Sequence, residues 1–260
     1  MTTTDSYLER AQQAGLLDET LGHRFVSDRY DDPFTGRRQV LVEYTDAGLP
    51  EDPHALGALC DRLYERHAAA QSILLRVVGD VRLPSPWLPR LTYIRHGSAE
   101  NGAPPRPESA VGVRPAVPDD DSRIRDWLVQ AFRNAYPGQE IAAGHSGIEG
   151  ILTSPARRSF IAHVADLPIG HGTVLFDERD EVTGEVFAEL VDILVDDAAH
   201  RRAATSALVA AAVQATRGRP LRGHVVHPRE KATARQADLV LHALLRGDWS
   251  VDHVFWEHTW

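Results

Sequence analysis

Apolar residues recur along this chain with two different periods, and the changes of period divide it into elements. Helical spacing covers 7–17, with Leu8, Ala11, Leu16 and Leu17 on one side. It returns over 53–70, where Leu56, Leu59, Cys60, Leu63 and Tyr64 form a stripe and Asp52 stands at the N-cap. Short apolar or alternating runs predict strands at 39–44 (QVLVEY), 72–81 (SILLRVVGDV) and 91–95 (LTYIR). Asp31-Asp32-Pro33 and Thr35-Gly36 mark a loop, and Pro84, Pro86 and Pro89 interrupt the chain between the last two strands. Residues 97–107 (GSAENGAPPRP) have no apolar period, so they predict a linker and a boundary between a domain at 1–107 and one at 108–260.

Beyond the linker the pattern is denser. It predicts a strand at 111–115 and a helix from the Asp119–Asp121 cap to Phe132, with Ile124, Trp127, Leu128, Ala131 and Phe132 as its apolar stripe. A loop-rich stretch, 134–154, carries a short helix near 148–152. Strands follow at 159–164, 169–176 and 186–195. Then come an Ala-rich helix at 207–216, a strand at 221–226, a helix at 234–245 ended by Gly247, and a last strand at 250–257. A three-strand meander followed by a strand–helix–strand crossover makes an α/β (α+β) fold, with a mixed, mostly antiparallel sheet flanked by helices. The first half echoes the second: a helix to 70 and strands at 72–81 and 91–95 match the helix to 216 and the strands at 221–226 and 250–257. Residues 1–107 are therefore either a degenerate half-copy of the same fold or an unrelated α/β cap.

One stretch carries candidate chemistry. In 189–209, ELVDILVDDAAHRRAATSALV, an apolar strand runs through an acidic turn and an Arg pair into small residues that open a helix. Unpaired N–H groups and the positive end of a helix dipole make such a junction a place to hold phosphate. The run from Val195 to Leu208, together with the order of elements and the opening VRPAVPDDDSRIRDWLVQAF, resembles the GNAT N-acyltransferase superfamily over about 111–260. The family's two small loop positions fall on Ala203 and Thr205.

The resemblance implies an acyltransferase that moves an acyl group, acetyl first, from acyl-CoA to an amine of a small molecule by direct attack. It implies that the strand edge Ile193, Leu194 and Val195 receives the pantetheine arm. The pyrophosphate would rest on Arg201, Arg202, Ala203, Ala204, Thr205 and Ser206. It places the acceptor against 134–154, with Tyr136, Glu140 and His145 as candidates. The family's acidic tyrosine would fall at Ala243, so the general acid is unassigned. Base candidates are Glu189 and Asp192, which regular alternation puts on opposite faces unless a bulge intervenes, and His227 just past its strand. Two alternatives stay open: a transferase of specialised metabolism whose donor is aminoacyl-tRNA or a carrier-bound acyl group, and a non-catalytic GNAT-like binding domain.

Composition narrows these readings. Among 260 residues there is one cysteine, Cys60, which rules out an intramolecular disulfide and a multi-Cys metal site. The thirteen histidines show no metal-ligand spacing, so no metal is expected. The net charge is −9, with acidic residues in excess in both halves and no basic tail, which weighs against nucleic acid, tRNA included, so a tRNA donor stays open only as the alternative above. No apolar run approaches the ~20 residues of a membrane span. The polar N-terminus lacks a signal-peptide core, so the expected location is the cytoplasm. A homodimer is compatible with the sequence. Trp87, Trp249 and Trp256 are expected in the core, and Cys60 as a buried, inert thiol.

Overall fold

A computed structural model describes residues 3–97, 110–216 and 218–260. Apart from Gly97, the linker expected at 97–107 lies outside the described residues. The first half contains α1 (Thr3–Gln13), β1 (Leu17–Thr20), β2 (His23–Asp31), β3 (Arg38–Thr45), α2 (Pro53–Arg66), β4 (Ser72–Val78) and β5 (Leu88–His96). The second contains β6 (Val111–Pro115), α3 (Asp121–Ala135), α4 (Ser146–Thr153), β7 (Arg157–Val164), β8 (Leu167–Arg179) and β9 (Val186–Val195). It ends with α5 (Arg201–Thr216), β10 (Leu221–Val226), α6 (Lys231–Leu245) and β11 (Trp249–Thr259).

The expected mixed, mostly antiparallel sheet is present, and it runs through both halves. Its order is β1-β2-β3-β4-β11-β5-β10-β9-β8-β7-β6. β5, from the first half, lies between β10 and β11 of the second, while β11 pairs with both β4 and β5. The two parallel pairs, β3 with β4 and β9 with β10, are each joined by a helix, α2 or α5. From the centre outward the order is mirrored: β4, β3, β2 on one side answer β10, β9, β8 on the other.

The mirror extends to single hydrogen bonds. The β2–β3 turn reads Asp32-Pro33-Phe34-Thr35-Gly36-Arg37, and the β8–β9 turn reads Asp180-Glu181-Val182-Thr183-Gly184-Glu185. Asp32 Oδ1 accepts from the N–H groups of Phe34 and Thr35, as Asp180 Oδ1 does from Val182 and Thr183. Thr35 Oγ1 accepts from Arg37 N–H, and Thr183 Oγ1 from Glu185 N–H. Gly36 and Gly184 take φ of 63° and 69°, a conformation that favours glycine. Each tip docks on the other half. Phe34 stacks with Phe132, Tyr136 and His145, at 4.7, 4.8 and 5.0 Å between ring centroids. Val182 joins the cluster of Tyr7, Leu8 and Ala11 on α1.

Below the second tip lies a buried ionic network. Asp180 accepts from Arg76 on β4 at 2.6 Å and from Arg222 on β10 at 3.0 Å. Glu185 pairs with Arg95 and Arg222, and Asp252 accepts from Arg95 at 3.0 Å. Burial pushes the Asp180 carboxyl up, but the hydrogen bond and charge of Arg76 outweigh it and hold the group well below the usual carboxylate range.

Three expectations change at the level of elements. The first helix stops at Gln13, because Gly15 at φ 71° turns the chain and Leu17 opens β1. β1 and β2 carry no readable alternation, since Phe25 and Val26 are adjacent and, apart from Leu17 and Tyr30, the rest is polar. α5 starts at Arg201 rather than 207, with Ala204 and Leu208 already packed against Ala162, Ile169 and Val195. Trp87, Trp249 and Trp256 are buried as expected. Cys60 is partly buried, and burial pushes its thiol up to about 12, which leaves it unreactive.

Candidate active site

The site begins where two parallel strands part. β9 and β10 pair from Ala188↔Leu221 to Leu190↔Gly223 and no further, although β9 continues to Val195 and β10 to Val226. The cause is a bulge. Thr173 on β8 pairs with Asp192 and Val174 with Leu190, so Val191 is an extra residue in β9. The resulting gap opens onto a cavity of about 640 Å³, walled by Val191–Leu194, His224–Val226, the end of α3 and one face of α6.

The same bulge corrects the expected placing of the two carboxylates. Leu190 packs on the α5 and α6 side of the sheet, as Ile193 and Val195 pack against α5, while Leu194 packs against α3. One extra residue shifts the alternation, so Glu189 and Asp192 share the α3 side. Both act on His224. Its Nδ1 lies 3.1 Å from Glu189 Oε1. Burial opposes protonation of His224, but the Glu189 hydrogen bond and the charges of Glu189 and Asp192 outweigh it, and its pKa is raised. Asp192 also lies 3.3 Å from Nε2 of the buried His171, whose ring stacks on Trp127.

His224 went unmarked in the sequence, where His227 was the candidate. His227 does not line this cavity: its Nε2 lies 2.8 Å from Thr92 Oγ1, its Nδ1 3.6 Å from Asp238, and its side chain is buried. Burial lowers its pKa. Strand alternation distinguishes the two histidines only once the neighbours of β10 are known, and one of these, β5, comes from the other half of the chain.

The expected phosphate loop is a turn followed by the first turn of α5, past the cavity wall. Asp197 accepts from the N–H groups of Ala199 and His200 and lies 2.8 Å from His200 Nδ1. Ala204 N–H already donates to His200 C=O, so Ala204 and the residues after it enter the helical ladder. The N–H groups that helix geometry leaves without an intrahelical partner are those of Arg201, Arg202 and Ala203. Both Arg201 and Arg202 are exposed, Ala203 and Thr205 are half-buried, and Ser206 is exposed. The opposite edge of Ile193–Val195 is paired with Gly170–Gly172 of β8. A side chain at Gly170 would meet Leu194 O at 2.5 Å, so that close approach requires glycine.

The acceptor candidates separate. Tyr136 lines the main cavity and an adjoining one, beneath the Arg90 guanidinium at 5.9 Å. His145 stacks on Phe34 and accepts the Gly147 N–H through Nδ1, which ties it to the start of α4. Glu140 is exposed and lines neither cavity.

Comparison with solved structures places this architecture among the GNAT folds. A GCN5-related N-acetyltransferase from Sphaerobacter thermophilus aligns over 96% of this chain and 84% of its own, at 14% identity and a TM-score of 0.51. A conserved protein of unknown function from Staphylococcus epidermidis aligns over 89% of both chains, at 10% identity and a TM-score of 0.54. No family model and no curated protein matches the sequence. The chain thus has a GNAT-like fold.

Proposed function

We propose that this protein transfers an acyl group, acetyl in the simplest case, from acyl-CoA to the amine of a small molecule by direct attack. The observation that carries the reading is the parting of β9 and β10 at the Val191 bulge, with His224, hydrogen-bonded to Glu189, on the wall of the gap. The residues present suit such a donor. The N–H groups of Arg201, Arg202 and Ala203, the two guanidinium groups and the Thr205 and Ser206 hydroxyls would hold its phosphates. The unpaired side of β9 from Ile193 to Val195 would receive its pantetheine arm. The thioester supplies an activated acyl carbon.

The amine nitrogen forms the new bond to the acyl carbon as the C–S bond breaks and CoA leaves as the thiolate, and the chain's own groups handle the proton that the acceptor loses. An amine acceptor arrives as an ammonium ion and must lose a proton before it can attack. Neutral His224 Nε2 takes that proton while Nδ1 donates to Glu189, and the Asp192 charge stabilises the imidazolium that forms. No acyl-accepting nucleophile is assigned, because Cys60 lies in the cluster of the first half, away from the gap. Titration calorimetry tests the donor: we expect saturable acetyl-CoA binding, and none at millimolar concentration would sink the reading. Turnover seen only with charged tRNA or a carrier-bound acyl group would move the donor assignment to those alternatives.

We further propose that 1–107 is a degenerate copy of the fold in 108–260. Support comes from the twin turns at Asp32 and Asp180 and the mirrored strand order. A bulge at Glu43 in β3, between Val26↔Tyr44 and Ser27↔Val42, also answers the one at Val191. In the first half the equivalent gap is filled. Pairing of β3 with β4 ends at Val42↔Leu75, and the next residue, Arg76, is taken by Asp180.

A further inference from the structure

A second cavity of about 620 Å³ adjoins the first and shares Ala135, Tyr136, Pro137 and Pro228 with it. Three arginines, Arg37, Arg90 and Arg229, reach its wall. Two of them are bound to a single carboxylate: Glu257, 5% exposed, accepts from Arg37 at 2.9 Å and from Arg229 at 3.1 Å. Ser72 and Gln39 each donate to Glu257 at 3.0 Å. The third is differently placed. Leu91 pairs with Phe255 and Pro89 with Trp256, so Arg90 is the extra residue of a bulge in β5. Bulges re-aim side chains. Arg90 Nη1 donates to His227 C=O at 2.9 Å, and the guanidinium lies by the Tyr136 ring. Among the described residues no carboxylate pairs with it. Against the three guanidinium groups stand Glu257 and, at the cavity wall, Glu230, which leaves one positive charge unbalanced, and Arg90 is the group that no carboxylate pairs with among the described residues.

A half-buried guanidinium with free N–H groups, in a cavity that adjoins the reaction cavity, suits a carboxylate, which it can meet with two parallel hydrogen bonds. The spacing fits one molecule. His227 N–H bonds Arg90 C=O, and His224 lies three residues earlier on the same strand, so the backbones of the two groups are about 10 Å apart. The two side chains span part of that interval, which suits an acceptor whose amine and carboxylate stand a few bonds apart. We propose that the acceptor is an amine of the amino-acid class, bearing a carboxylate that Arg90, backed by Arg229 and Arg37, binds while the amine lies at His224. The proposal rests on the acyl-transfer reading for its chemistry, but not for the binding of the acid.

The test compares amino acids with their amides, which keep the amine and lose the charge. With acetyl-CoA as donor and product read by mass spectrometry, kcat/KM should favour the acids by about tenfold or more. Arg90→Gln should bring the ratio close to unity by raising the KM of the acids, with the KM of acetyl-CoA unchanged, and Arg90→Lys should retain part of the preference. Equal or better turnover of amides and diamines would overturn the proposal. So would an Arg90→Gln effect confined to the KM of acetyl-CoA, since the arginine would then hold a donor phosphate. Calorimetry of the same panel without donor keeps the two readings apart. Acid-selective binding lost in Arg90→Gln, in a protein that fails to bind acetyl-CoA, would leave the anion site standing and remove the transfer reaction. Absence of acid-selective binding would remove the anion site.

Discussion

His224 illustrates how a charge balance sets the protonation of a half-buried histidine. Glu189 and Asp192 raise its pKa, so the imidazole stays protonated to a higher pH than a free histidine. If the neutral ring is the base, kcat/KM should fall as pH drops through that raised pKa. In Glu189→Gln the acid limb should move to lower pH, and kcat should fall by about two orders of magnitude or more. An acid limb that stays in place would remove Glu189 from the pair. The stability linkage has a definite sign. A histidine raised by folding contributes stability below its unfolded pKa, and that contribution fades as pH rises through the folded value. NMR titration of the His224 ring in both proteins reads the shift directly. At this scale the sequence was legible for Glu189 and Asp192, since carboxylates on the strand leading to the loop stand out. It was not legible for His224 over His227, because the difference lies in contacts with a strand more than a hundred residues away.

Bulges are the elements that decide this site. The Val191 bulge ends the pairing of β9 with β10 and brings two carboxylates to one face. Deleting Val191 removes the extra residue and leaves Asp192 opposite Thr173 on the α3 side, so β9 should continue its pairing with β10 past Leu190 and close the gap. We expect a folded protein that binds acetyl-CoA poorly; unchanged acetyl-CoA affinity in calorimetry would mean that the gap does not depend on this residue. The docked turns are a second kind of element. Phe34→Ala removes the face shared by Phe132, Tyr136 and His145 and should cost about 2 kcal/mol in urea unfolding, given its partial exposure. Most helices and strands of the second half were readable from period alone. Bulges were not, because one inserted residue leaves no signature in an apolar run such as Leu190–Val195.

Across the whole molecule, the halves are held together by a sheet that neither completes alone and by the ionic network under the β8–β9 turn. Asp180→Asn leaves two buried guanidinium groups, Arg76 and Arg222, without their shared carboxylate and should cost about 3–5 kcal/mol. The Asp180 and Asp252 carboxyls are both depressed, the second to about 2 by arginine and histidine partners that overcome burial. Their contribution is present above the ordinary carboxylate pKa and is lost as pH falls through the folded values, so acid unfolding should become less steep in Asp180→Asn. The 108–260 fragment expressed alone should be insoluble, and co-expression with 1–107 should recover a folded pair, as read by size-exclusion chromatography; a soluble, folded fragment would show that β5 is dispensable. The sequence displayed the strands other than β1 and β2, and a similar order of elements in the two halves. It could not display that β5 and β11 lie side by side at the centre, since pairing partners carry no local mark.

That interleaving has a consequence for synthesis. Translation delivers β4 and β5 long before β11, the strand that fills the space between them, has left the ribosome. The nascent first half therefore carries two adjacent open edges for the time it takes to make the rest of the chain, and open edges invite pairing with other chains. Among the described strands the latest in chain order is the one that closes the sheet, so a ribosome that stalls before Trp249 leaves β4 and β5 unbridged and two of the core clusters without Trp249, Val254 and Trp256.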